Sequence, residues 1–193
     1  PLTPGPALKA QPASSSFAKF RESNRVLGRA EQFHGPTLSP ADAYAKMRAT
    51  PDLAVDFLLS EPQIAQPTHF SFDTRGRLWV TQYRQYPYPA GVNMISRDKY
   101  YRSHYDRVPP APPHHDKGAD IVSIHESTKH DGFYDKHTVF QDGLNMANSA
   151  VRANGGVWVM NPPYLLFYPD ANADDVPDGP PVVHLSGFGL EDT

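Results

Sequence analysis

Hydrophobic residues along the chain fall into short alternating runs, the first of them beginning near residue 68. "THFSFD" (68–73) alternates, the turn "TRGR" follows, and "LWVTQY" (78–83) is dense in β-branched and aromatic side chains, which predicts a hairpin. "DIVSIHE" (120–126) and "HTVFQDG" (137–143) predict a second pair of strands. The same order then returns. "NSAVRANGGVWVMN" (148–161) resembles residues 68–82, "YLLFYPD" (164–170) resembles 120–126, and "PVVHLSG" (181–187) resembles 137–143. The second copy of this four-stranded unit, residues 148–187, spans about 40 residues, the length of a β-propeller blade. An ordinary antiparallel sandwich with incidental similarity is the competing reading.

Upstream of the strands the pattern changes. "PLTPGPALKAQPASSS" is rich in Pro, Ala and Ser without a sustained period, so residues 1–38 read as an extended arm. Ser39, Pro40 and Asp42 supply an N-cap, a proline at the first helical position and a capping acid, predicting a helix from residue 40 to about Arg48 that stops before Pro51. The expected class is therefore all-β: a partial propeller of two four-stranded antiparallel blades over 51–193, interrupted by a long insertion at 84–119. An N-terminal arm with one short helix over 1–50 precedes it. Propellers close with roughly four to eight blades, and two would leave apolar faces and strand edges open. The expectation is that the remaining blades come from a longer polypeptide or from other subunits.

Composition narrows the partners. The 193 residues include 21 prolines and are 39% hydrophobic, which points to a modest core with much loop. A formal charge of -3 gives no electrostatic footprint for nucleic acid. No run approaches the roughly 20 apolar residues of a membrane span. The chain opens on Pro1 rather than Met, which suggests processing and leaves room for a removed export signal. With no cysteine there is no disulfide, zinc-thiolate site, iron–sulfur cluster or c-type haem attachment in this sequence.

The alternation of strands sorts the loops onto two faces. The insertion, the crossover "GLNMAN" (143–148) and "GFGLEDT" (187–193) belong to one, the mouth of a central channel, where function gathers on variable loops. Gln82 and Arg84, leaving the second strand, and Glu191 and Asp192 are the candidates there, with Arg84 suited to holding a cofactor carboxylate bidentately. The insertion mixes Tyr, Arg and His in "RQYPYPAG", "RDKYYRSHYDR" and "PPAPPHHDKG", fit either for gripping a polar ligand or another chain or for packing as a surface loop. His114, His115 and Asp116 offer metal-ligating types, but adjacent histidines among prolines read first as exposed loop.

The opposite face receives "YPDANADDVPDG" (168–179), whose like charges need compensation. Asp170, Asn172, Asp174 and Asp178 place oxygens at positions 1, 3, 5 and 9, with the Val176 carbonyl at 7, the spacing by which a tight loop wraps calcium. The loop departs from an EF-hand, having Asp175 for the Gly at 6 and Pro181 for the Glu at 12. A solvated acidic turn is the alternative. The matching first-blade loop, "ESTKHDGFYDK", keeps Asp131 and Asp135 but has Ser127 and Lys129 at the earlier ligand positions, which argues against a cation there.

The phrases "PTHFSFDTRGRLWVTQYRQYPYPAG", "VFQDGLN", "GGVWVMNPPYLLFYPDANADDVPDG" and "GFGLEDT" together resemble a family of exported bacterial proteins named as membrane-bound dehydrogenases, over residues 39–193. The resemblance implies a propeller like that of quinoprotein sugar dehydrogenases, pyrroloquinoline quinone as cofactor, an exported or periplasmic location, and a cytochrome c domain elsewhere. C-to-D loops of that family commonly read Asp-Thr-Asp-Gly-Asp-Gly, which supports calcium at residues 170–178. It also implies that the polypeptide continues past "GLEDT" into a further blade. Two functions follow as expectations. One is a segment of a quinoprotein-type sugar or alcohol dehydrogenase, inactive by itself. The other is a calcium-stabilised propeller module for binding or subunit assembly.

Overall fold

Period-2 alternation buries one side of each strand only if another sheet covers it, and the two repeated units solve this by packing on each other. The computed structural model of the chain describes residues 37–86, 88–100 and 102–190. The predicted arm therefore lies outside the described residues except for its last two positions. The chain divides into two compact units between Gln63 and Ile64.

In the first unit, helix α1 spans Pro40–Lys46. Ser39 caps it, its hydroxyl accepting from the Asp42 N–H at 3.1 Å and donating to the Asp42 carboxylate at 2.6 Å. The helix ends two residues short of the expected Arg48. Met47 turns extended at ψ 146°, and the Arg48 guanidinium donates to the Ala45 and Met47 carbonyls instead of continuing the ladder. Tyr44 stacks on Phe57 at 5.8 Å and donates to the Val55 carbonyl.

The second unit is all-β. Its strands are β1 (Pro67–Phe72), β2 (Leu78–Gln82), β3 (Met94–Arg97), β4 (Ser103–Tyr105), β5 (Asp120–Glu126), β6 (Lys136–Leu144), β7 (Ser149–Ala153), β8 (Gly156–Asn161), β9 (Tyr164–Pro169) and β10 (Val182–Ser186). β1-β2-β5-β6 form one antiparallel sheet and β7-β8-β9-β10 another, each in chain order. These are the two predicted blades, in a partial propeller-like arrangement, with β1 beside β7 at the inner edges. The insertion is more ordered than a loop: β3 and β4 form a two-stranded sheet of their own. Its base is tied by Asn93, whose N–H and side chain donate to the Asp106 carboxylate at 2.9 and 2.8 Å.

The core lies between the blades. Trp79, Val122, Ile124, Phe140 and Leu144 of the first meet Ala150, Val157, Val159, Leu166 and Tyr168 of the second. Phe140 bridges the layers, 5.3 Å from the Trp79 ring and 6.3 Å edge-on to Tyr168. Gly156 is required where it stands: a Cβ there would meet the Tyr168 carbonyl at 2.3 Å.

Leu166→Ala empties a filled site in this seam and is expected to cost about 3 kcal/mol, whereas Val139→Ala on the exposed side of β6 costs less than about 0.5 kcal/mol, both read by urea unfolding.

Candidate functional site

Two polar clusters, one at each end of the blade seam, contain or adjoin the residues singled out in the sequence. The first begins with the acidic loop. A tight hairpin turn between β1 and β2 folds Arg77 back on Asp73, whose Oδ2 accepts from Arg77 Nε at 2.8 Å and from the Trp79 indole at 3.0 Å. The same guanidinium reaches across the seam to Asp175, with Nη1 to Oδ2 at 2.5 Å and Nη2 to Oδ1 at 2.8 Å. Arg152 on β7 donates to Asp170 at 2.6 Å, and Asp170 is fully buried. Both guanidiniums lie over the Trp79 ring, at 5.9 and 5.8 Å. Arg75, more exposed, adds a 3.3 Å contact to Asp175.

Much of the loop's charge is therefore compensated by arginines. Hydrogen bonds from Arg77, opposed by burial, hold the Asp175 carboxyl below its usual range. Burial works against ionisation of Asp73, but the donors from Trp79 and Arg77 outweigh it and its carboxyl is also held low.

The predicted calcium ligands are brought onto one turn. Asp170 Oδ1 and Asn172 Oδ1 both accept from the Asp174 N–H, at 3.1 and 3.2 Å, so positions 1 and 3 converge on one point. Asp174 Oδ1 accepts from the Val176 N–H at 3.0 Å, and Asp178 Oδ2 from the Ala171 N–H at 2.8 Å. Ala173 (φ 60°) and Asp175 (φ 71°) adopt the left-handed conformation at the two positions where the Asp-Thr-Asp-Gly-Asp-Gly pattern has glycine. The all-oxygen donor set suits a hard cation. One oxygen of Asp170 is committed to Arg152, which leaves that residue at most one ligating oxygen. Among the described residues no group of three His, Cys, Asp or Glu side chains is arranged to hold a metal.

In the first-blade loop, Asp135 accepts from Thr128 N and Oγ1 at 2.8 and 2.7 Å, and Asp131 accepts from Ser127 and the Phe133 N–H. Asp116 pairs with Arg107 at 2.7 Å, His115 is partly buried, and His114 is exposed.

The second cluster lies at the mouth. Gln82, a mouth candidate, is 1% exposed: its Oε1 accepts from the Ala65 N–H and its amide donates to Ser123 Oγ at 2.7 Å. It holds strands together and is not presented to a ligand. Arg84 is half-buried and makes no ion pair among the described residues. Glu191 and Asp192 lie outside the described residues.

Sequence reasoning did not single out the groups that organise this end. Asp120 is fully buried and accepts from the Gln85 and Ala147 N–H groups, at 3.4 and 3.1 Å. Gln85 accepts from the Ala119 N–H at 2.7 Å and donates to Asn145, whose amide in turn donates to the Ala90 carbonyl at 2.9 Å; Asn161 accepts from the Asn145 N–H at 3.0 Å. The crossover between blades is thus bonded to the root of the insertion. An aspartate opening an apolar strand, next to two asparagines at strand ends, is the signal that marks such a network.

Burial pushes the Asp120 carboxyl up to about 7, against the pull of the backbone donors. His125, also fully buried, is pushed down to about 4 by burial and by neighbouring His137, with the two Nδ1 atoms 2.7 Å apart. One proton serves that contact, so one ring donates and the other accepts.

Arg152→Met keeps an apolar stem over Trp79 but leaves Asp170 buried and uncompensated; a loss of about 3–5 kcal/mol in urea unfolding is expected, against less than about 1 kcal/mol for the exposed Arg75→Ala. The titrations oppose each other. Asp120, raised on folding, contributes stability that is complete below about pH 4 and lost as pH rises through about 7. His125, depressed on folding, contributes stability that is complete above about pH 6.5 and lost as pH falls towards about 4. The parent chain is expected to be nearly flat between pH 4.5 and 6.5, where Asp120→Asn unmasks the His125 slope of up to about 1.4 kcal/mol per pH unit.

No curated protein and no solved structure matches the chain. A family model described as Domain of unknown function (DUF7133) matches residues 39–193, which include both blades, the insertion and the acidic loop. The chain belongs to that family.

Proposed function

We propose that residues 64–190 serve as an assembly module: two blades of a larger propeller that present binding loops and packing faces, with the chemistry of the complete protein finished by residues outside this segment. The observation that carries this reading is how the polar side chains near the mouth are used. Gln82, Gln85, Asp120, Asn145 and Asn161 are buried and hydrogen-bonded to the chain itself, so among the described residues these groups brace loops and form no acid–base pair facing solvent. In this reading the partners are further blades, in the same polypeptide or in other subunits. Among the described residues no helix is long and apolar enough to cross a membrane.

Calcium belongs to the same proposal. Asp170, Asn172, Asp174, the Val176 carbonyl and Asp178 would hold it, and the ion would neutralise Asp174 and Asp178, the two loop carboxylates that no arginine touches. Its role there is structural. Calcium at 100 times its dissociation constant is expected to stabilise the fold by about 2.7 kcal/mol over the chelated protein. An unchanged melting temperature removes the loop as a calcium site.

A second reading keeps the module within a quinoprotein-type sugar or alcohol dehydrogenase of exported or periplasmic location, working with a cytochrome c domain. Its support is the family resemblance together with Arg84, a half-buried cation without an ion pair among the described residues. Arg84 would hold a carboxylate of pyrroloquinoline quinone, which when bound would supply the hydride acceptor. Reconstitution with the quinone and a dye-reduction assay over a sugar panel separates the readings. Activity of the 193-residue chain alone overturns the assembly reading. Activity only in a longer chain, lost in Arg84→Met, supports the dehydrogenase assignment for the whole protein.

A further inference from the structure

The proton on His125 is placed by the groups around it. Gln82 Oε1 accepts from the Ala65 N–H at 2.9 Å, so the other end of that amide is the nitrogen, which donates to Ser123 Oγ at 2.7 Å. Ser123 Oγ also lies 3.3 Å from the Val80 carbonyl and 2.9 Å from His125 Nε2. A carbonyl cannot donate, so the one hydroxyl hydrogen goes to Val80, and all three contacts are satisfied only when His125 Nε2–H donates to the serine oxygen. Neutral His125 therefore turns a bare Nδ1 lone pair towards His137, whose Nδ1 is 2.7 Å away.

The strands hold the two rings in this relation. His125 and His137 stand directly opposite each other on β5 and β6, and Leu78 stands opposite His125 on its other side. All three lie on the face of the first sheet away from the seam, because Val122 and Ile124 alternate with Ser123 and His125 and enter the core. The Glu126–Lys136 ion pair, one rung further along, belongs to the opposite face. His125 is fully buried and His137 is exposed, so the pair opens to solvent on the His137 side.

We infer that His125 Nδ1 and His137 Nδ1 form a two-imidazole site for a copper(II) ion, with water in the remaining coordination positions. The site is separate from the acidic loop and from Arg84, and it depends on neither the calcium nor the quinone reading. In the metal-free pair the shared proton belongs to His137 Nδ1. The ion takes its place and that proton moves to His137 Nε2, so both rings stay neutral and no proton is lost. Ser123 already supplies the outer contact that a ligating imidazole needs on its second nitrogen, holding the buried ring in the ligating tautomer before any ion arrives.

The spacing of the nitrogens selects the metal. At metal–nitrogen distances of about 2.0–2.1 Å, adjacent ligands of a square-planar ion stand about 2.9 Å apart and those of a tetrahedral ion about 3.3 Å. A pair at 2.7 Å reaches the first spacing with a small movement of the exposed ring, whereas the second requires the buried ring to move as well. Copper(II), which prefers the square arrangement and accepts imidazole, is favoured over tetrahedral zinc.

Nuclear magnetic resonance of the full chain at neutral pH tests this. Substoichiometric copper(II) is expected to broaden the ring signals of His125 and His137 before those of His114, His115 and His130, and His137→Gln, whose amide can still donate to His125 Nδ1, is expected to raise the copper concentration needed at His125 at least about ten-fold. Earlier broadening at the other histidines, or an unchanged concentration in the variant, overturns the inference. Zinc that shifts the same two rings at the same concentration as copper overturns the assignment to copper. The metal-free parent provides a check that needs no variant: proton–nitrogen correlation spectra are expected to show His125 protonated on Nε2 and bare on Nδ1, and a proton found on His125 Nδ1 overturns the inference.

Discussion

Arg77 is the residue on which the geometry of the two blades turns. It is 5% exposed, and a guanidinium so placed is tolerable only with carboxylates on more than one side of it. Asp73 from its own hairpin and Asp175 from the next blade meet that requirement, and in doing so fix the acidic loop against the first blade. Trp79, within 6 Å of both guanidiniums, carries the same register into the apolar core. The ionic staple and the hydrophobic seam are thus one construction, with directional contacts setting the alignment and buried area supplying the driving force.

The opposite end of the seam is fixed by a different chemistry. There a buried carboxylate and three amides connect the blade crossover to the insertion, with backbone N–H groups as the donors to Asp120. Such a network is costly unless complete, and that cost makes the loop positions specific. The mouth is consequently rigid near the seam, while the β3–β4 hairpin projects with Ile95 and Tyr100 about two-thirds exposed.

How far the chain could be read from its sequence follows from the range of the interactions. Strand alternation and the repeated Trp-Val pair of the second strand in each unit are local, and they located both blades to within a residue or two at most strand ends. The β3–β4 hairpin escaped because "MISR" is exposed along its whole length and shows no buried side to the eye. Gln82 looked like a mouth residue because it ends a strand, yet its partners are 17 and 41 residues away, a distance no pattern reports. The acidic loop was legible as a site of concentrated charge, but its arginines, 98 residues distant in one case, were not.

A double-mutant cycle on Arg77→Met and Asp175→Asn tests the role of the ionic staple most directly, because it isolates the most enclosed of the ion pairs that join the acidic loop to the neighbouring blade. Measured by urea unfolding, a coupling of about 2 kcal/mol or more is expected for a charge pair this enclosed, with the double variant losing correspondingly less than the two single losses added together. A coupling below about 0.5 kcal/mol would mean that the blades are aligned without the staple, and that Arg77 does not set their geometry.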